Sequence, residues 1–196
     1  MFEFIENISY KIGNYIGKDE TEEDREIYRY SIFAIVSTLF EDLFGLIIAT
    51  ILGCTFQYLI IVCVYSVLRC GMGGFHADTF KKCFITTNLV FISAIFFCSI
   101  TYPFYILLFY LSIILGVWIL PYCPKPSKNS PSRGYSEDIR FRKMYRNRFI
   151  IFQVINFISL YIGLYSVSLP ISWAIIVCWF VTSDFGEGLL TKIVNH

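Results

Sequence analysis

The sequence predicts an all-α, polytopic membrane protein, with about six transmembrane or re-entrant helices preceded by an amphipathic helix. Three observations predict it. Of the 196 residues, 56% are apolar and 16% charged, where soluble domains run about 45–50% and about 25%. The apolar residues gather into long runs. Every lysine and arginine falls on one side when the runs are counted as alternating crossings. No soluble core of this size hides so much apolar surface, so lipid is its natural solvent. The chain reads as one membrane-embedded domain, 1–196, with an opening segment 1–26 and a basic loop 122–148.

Phe2, Ile5, Ile8, Ile12 and Ile16 recur three or four residues apart, which places them on one helical face. Glu3, Glu6, Asn7 and Lys11 turn away from it. Such a helix either lies in the membrane interface or packs on the rest of the protein. The same charges, with Lys18, interrupt any secretory-signal pattern. Asp19 to Glu26 then reads as a charged linker leading into a helix.

Apolar runs follow at 30–53, 57–70, 84–101, 103–121, 149–167 and 170–186. A helix needs about 20 residues to cross the hydrocarbon layer. Four runs meet that length; 57–70 and 170–186 are short, and either is a candidate re-entrant element. With the N-terminus in the cytoplasm and six crossings, all 16 Lys and Arg lie inside. None lies in the outer turns expected near 54–56, 101–103 and 168–170.

The formal net charge of +1 carries no signature of nucleic-acid binding. The cysteines at 54, 63, 70, 83, 98, 123 and 178 are odd in number and sit mostly in apolar runs. There they behave as small hydrophobes. They form neither a disulfide framework nor a zinc pattern.

The chemistry concentrates in Arg69-Cys70-Gly71-Met72-Gly73-Gly74-Phe75-His76-Ala77-Asp78-Thr79-Phe80-Lys81-Lys82-Cys83. Its glycines make it a poor helix, and Asp78 or Thr79 suits the cap of the helix that follows. His76 is the one histidine besides the terminal His196, and so the one internal imidazole for proton transfer. On an unbroken helix His76 and Cys83 would be separated by about 10.5 Å along the axis, too far to interact. A glycine-rich turn lets the imidazole fold back toward the first turns of the next helix. The helix dipole, Lys81 and Lys82, and an adjacent imidazolium would each favour a thiolate at Cys83. Read from the residues alone, Cys83 is either a packed thiol or half of an activated Cys–His pair. A metal held by Cys70, His76 and Cys83 would have no recognised spacing, and no cofactor is implied.

The run Arg69, Gly74, His76-Ala77 and Cys83 resembles the accessory gene regulator B (AgrB) family of bacterial membrane cysteine endopeptidases, which mature quorum-sensing peptides. Pro121-Tyr122-Cys123-Pro124-Lys125-Pro126 and its basic loop resemble the family's next element. The resemblance implies Cys83 as nucleophile and His76 as its base, with Arg69 and Gly74 in support. It implies a multi-pass protein of the bacterial cell membrane, with N-terminus and catalytic segment on the cytoplasmic side. The implied substrate is a small precursor peptide with an amphipathic start and an acidic tail, cleaved through a thioester that permits thiolactone closure. A homodimer stays open as the working unit. Family members can carry a functional polar residue early in the first membrane helix. Here Tyr30 to Val36 is largely apolar, so the third catalytic partner is unassigned.

Other polar residues have two readings each. Glu41 and Asp42 sit deep in the first long run, where a charge costs several kcal/mol unless paired. One of them, Glu41 above all, supports catalysis by orienting His76 or facing a water-filled cavity; otherwise the helix is shifted and the pair is structural. Asp78 supports the site as a helix cap rather than a base. Arg140, Arg142, Lys143 and Arg146 either meet anionic lipid head groups or grip the precursor's acidic tail. Asp184 and Glu187 read as solvated. The competing function is a non-enzymatic transporter or export subunit for a peptide, and a scaffold is a third. Preferential alkylation of Cys83 among the seven thiols separates the enzyme from both.

Overall fold

The computed structural model describes residues 2–18, 21–72, 79–125 and 135–195. Among them are eight α-helices and no strand. They are α1 (Phe2–Ile16), α2 (Glu22–Ile51), α3 (Thr55–Met72), α4 (Phe80–Ile100), α5 (Tyr105–Ile119), α6 (Tyr135–Tyr161), α7 (Tyr165–Thr182) and α8 (Asp184–Asn195).

Helix α1 packs on α2 rather than standing apart from the bundle. Ile5, Ser9, Gly13 and Gly17, four residues apart, form its buried line. Small residues there let the helices approach closely: a Cβ on Gly13 would lie 2.7 Å from Arg29 Cα. Arg29 closes the seam, with its Nε donating to Asn14 Oδ1 at 2.6 Å and its guanidinium 4.6 Å from the Tyr10 ring centre. Ile12, Tyr15 and Ile16 stay exposed on the outer side. The expected charged linker ends early, because Thr21 caps α2 by accepting from Asp24 N–H at 3.2 Å.

Two reversals use one device. Gly53 and Gly163 take φ of +70° and +77°, the left-handed conformation that glycine adopts without penalty after a helix. Cys54 N–H and Leu164 N–H then reach back to Ala49 O and Ser159 O, both at 2.8 Å. The second reversal corrects the sequence reading. The turn falls at 162–164 and not at 168–170, because Pro170 is accommodated inside α7. The final apolar run accordingly spans Tyr165–Thr182, and 184–195 forms a separate helix, α8.

A second correction concerns 122–148. It is not loop throughout, since α6 begins at Tyr135 and runs unbroken through the basic stretch into the apolar one. Five helical stretches are long and apolar enough to cross a membrane: Asp24–Ile51, Thr55–Met72, Lys81–Ile100, Tyr102–Tyr122 and Tyr165–Thr182. The short run at 57–70 is thus extended at both ends into an 18-residue helix. Helix α6 is outside this set because its first half is charged. Its second half exposes Ile150, Ile151, Val154, Phe157 and Ile158, as a lipid-facing surface would. This is a membrane protein.

Helix α7 is the hub, packing on α3, α4, α5, α6 and α8. Within its span 61% of residues are buried, against 17% for α2 at the periphery. Asn156 is matched inside the bundle: it donates to Ser172 Oγ at 2.9 Å and accepts from Ser168 at 2.6 Å. Burial without such partners would cost about 1–3 kcal/mol per group.

Candidate active site

Cys83 stands in the first turn of α4. Thr79 caps that turn, its hydroxyl accepting from Lys82 N–H at 3.4 Å, and Cys83 N–H donates to Thr79 O at 3.0 Å. The expected cap is therefore Thr79. His76, Gly74 and Asp78 lie outside the described residues, as does His196.

Aromatic packing sets what faces the thiol. Phe84, next to Cys83, seats its ring against Phe40 and Phe44 of α2, with centroids 5.6 and 5.0 Å apart. That register brings the Glu41 carboxyl within charge-interaction range of the Cys83 thiol. Helix α3 supplies the positive partner: Arg69, in its last turn, lies within charge-interaction range of Cys83, Tyr65 and Cys178. Thr87, one turn along α4, has its hydroxyl 4.0 Å from the sulfur. Cys83 is half-buried, so a reactant has a route to it.

The structure thus unites Cys83, Glu41 and Arg69 from three helices. Asp42 diverges from its neighbour: its backbone carbonyl accepts from Tyr58 OH at 3.1 Å, which joins α2 to α3. Sequence reasoning missed Tyr65, Thr87 and Cys178. The first two were findable as residues one helical turn from Arg69 and Cys83. Cys178 carries no local signal, because only the packing of α7 on α3 brings it near.

The same end of the bundle carries the basic residues. Arg140, Lys143 and Arg146 are exposed on α6 at three-residue spacing. Arg142 is partly committed, with its Nε donating to Cys123 O at 3.0 Å, and Arg148 reaches Val67 O at 2.7 Å. Lys125 N–H donates to Met72 O at 2.7 Å, closing the end of α3.

Asp184 and Glu187 are not merely solvated, as the sequence suggested. Lys125 Nζ binds both, at 2.7 and 2.6 Å. Burial pushes the Lys125 ammonium down, but hydrogen bonds and charge from the two acids outweigh it and raise it. The hydrogen bond and charge of Lys125 hold Asp184 below its usual range. A depressed carboxylate stabilises above its unfolded pKa of about 3.9 and loses that contribution as pH falls through the folded value. A raised lysine stabilises below about 10.4 and loses it at higher pH. Protease nicking of α8 in vesicles should therefore rise on acidification below about pH 4. Lys125→Gln should already show the acid-like rate at pH 7.

The accessory gene regulator B family model matches residues 6–183. The chain is also similar to AgrB-like protein 2 of Clostridium perfringens (strain 13 / Type A), a protein named for its likeness to that family. The two are 23% identical over 206 residues, covering 97% of this chain and 96% of the relative. No solved structure matches it.

Proposed function

This chain belongs to the accessory gene regulator B family, and on that premise we propose that it is a membrane cysteine endopeptidase acting on a small quorum-sensing peptide precursor. The observation carrying this reading is the half-buried thiol of Cys83 at a helix start, with an acid and an arginine from two other helices within charge-interaction range.

The Cys83 sulfur attacks a peptide carbonyl, and the C–N bond breaks with His76 protonating the departing amine. The product is a thioester between the N-terminal fragment and the enzyme. A thiol inside that fragment then displaces Cys83 and closes a thiolactone; exchanging one thioester for another is nearly balanced in energy. Backbone N–H groups at the start of α4 suit the developing oxyanion. The catalytic end faces the cytoplasm, where the excess of lysine and arginine favours it.

Arg140, Lys143 and Arg146 meet the precursor's acidic tail. Neutralising these three together should raise the precursor KM at least about tenfold while the protein inserts normally, since each charge-assisted contact is worth roughly 1.5–3 kcal/mol at most. An unchanged KM would assign the cluster to lipid.

The enzyme reading is tested by incubating vesicle-embedded protein with a synthetic precursor and quenching in acid. Mass spectrometry should find the N-terminal fragment attached to the peptide containing Cys83, in a bond that hydroxylamine cleaves. Product formation with no adduct on Cys83, under conditions that trap other thioesters, would sink it.

A further inference from the structure

Helix α8 is amphipathic, and the bundle covers only part of its apolar side. Gly186 and Leu190 face inward and are buried. Phe185, Leu189 and Ile193 stand four apart, so they form one line along the helix, and they remain 68%, 43% and 47% exposed. Leu189 and Ile193 follow Gly186 and Leu190 by three residues, so the exposed line adjoins the buried one.

The turn into α8 makes that line an extension of the span. Ser183 alone separates α8 from α7, and its extended backbone, with φ −71° and ψ 152°, turns α8 off the axis of α7. Its hydroxyl accepts from Gly186 N–H at 3.1 Å. Gly186 lies so close to the Phe180 carbonyl that a Cβ would not fit. The Phe185 ring then meets Phe180, in the last turn of α7, edge to face with centroids 6.3 Å apart. An apolar surface thus continues from the membrane-crossing helix onto α8.

Charge is arranged to match. Asp184 and Glu187 fall on the other side of α8, where Lys125 Nζ binds both. The acids that an anionic headgroup layer would repel are thereby neutralised and kept off the line. The cation bordering the line is Lys192, which is exposed. A lysine there reaches phosphate while its apolar neighbours enter the acyl boundary.

We propose that α8 docks on the bilayer, seating Phe185, Leu189 and Ile193 among the headgroups and upper acyl chains at the Cys83 end of the bundle. Lipid is the occupant that fits, because the line runs on from the span through Phe180 and is bordered by a cation. The bilayer then holds α8, and α8 holds the Lys125 side chain. The Lys125 N–H in turn closes the end of α3 on Met72 O at 2.7 Å. This docking stands independently of the reaction assigned to Cys83.

The test places the photoreactive residue p-benzoylphenylalanine at Phe185, at Leu189 or at Thr191 of the full chain, in vesicles of phosphatidylcholine and phosphatidylglycerol. After irradiation, intact-mass spectrometry identifies what each position has captured. Positions 185 and 189 should gain the mass of one phospholipid at least about tenfold more often than position 191, which lies on the polar side one turn beyond Glu187. Equal lipid capture at all three positions, or none at 185 and 189, overturns the proposal. Capture of a second copy of the chain in place of lipid overturns it too, since protein then covers the line. A second measurement uses Phe185→Ser, Leu189→Ser and Ile193→Ser combined. Protease nicking of α8 in the same vesicles should quicken at least about tenfold, while Thr191→Ser should match wild type. Wild-type nicking in the combined variant sinks the docking. If that variant fails to accumulate, hydroxyl-radical footprinting of the unaltered protein decides. Phe185 should be oxidised at least about fivefold more slowly in vesicles than in the urea-unfolded chain, and equal rates overturn the proposal.

Discussion

Cys83→Ala is expected to abolish precursor cleavage, a loss of at least about a thousandfold, as is usual when a covalent nucleophile is removed. Cys83→Ser should do nearly the same. A hydroxyl is a far weaker nucleophile than a thiol at neutral pH, and nothing in the site is arranged to activate an alcohol. The side chain is small and half-buried. Its loss should therefore shift stability by no more than about 1 kcal/mol, and both variants should reach the membrane in normal amount. Immunoblotting of membranes and cleavage of added precursor check the two halves separately. Alanine at Cys63 or Cys70, both exposed, should leave cleavage intact.

Gly45→Leu carries the second large effect. Gly45 lies one turn beyond Glu41, on the face of α2 that meets α3. A Cβ there would run into the Tyr58 hydroxyl and ring. Tyr58 is only 2% exposed and is held by the Asp42 carbonyl, so it has nowhere to retreat. Overpacking of this kind costs about 1–3 kcal/mol. The side chain should push α2 off α3 and draw Glu41 away from Cys83. Cleavage should fall by more than tenfold, and the midpoint of thermal aggregation in bilayers should drop by several degrees. Gly45→Leu with Tyr58→Ala should recover part of the stability. Wild-type cleavage in Gly45→Leu would show that α2 can shift without disturbing the thiol.

Much of the architecture was legible because lipid imposes a length and a composition on each crossing. The runs at 30–53, 57–70, 84–101 and 103–121 became α2 to α5 with only their ends adjusted. The last two helices were less legible. The turn was placed at 168–170, in the gap between two apolar runs, whereas Gly163 makes the reversal through its positive φ and Pro170 is absorbed within α7. The basic stretch after Tyr135 was taken for loop because its charges conceal a helical segment continuous with the apolar one.

The thiol was legible through its unusual neighbours in sequence, and so was Arg69. The meeting of Glu41 with Cys83 was not. It spans 42 positions and depends on how Phe84 seats against Phe40 and Phe44, which no local pattern records. Lys125 with Asp184 is the same case at longer range.

Helix α2 supplies the acid beside the thiol, yet it is the span least enclosed by protein. Much of the wall behind Glu41 is hydrocarbon chain. A bilayer of altered thickness tilts or shifts such a helix for fractions of a kcal/mol per ångström, and a micelle replaces that wall altogether. Lateral pressure would in this way bear on where Glu41 stands relative to Cys83. Cleavage rates should accordingly differ between detergent and vesicles.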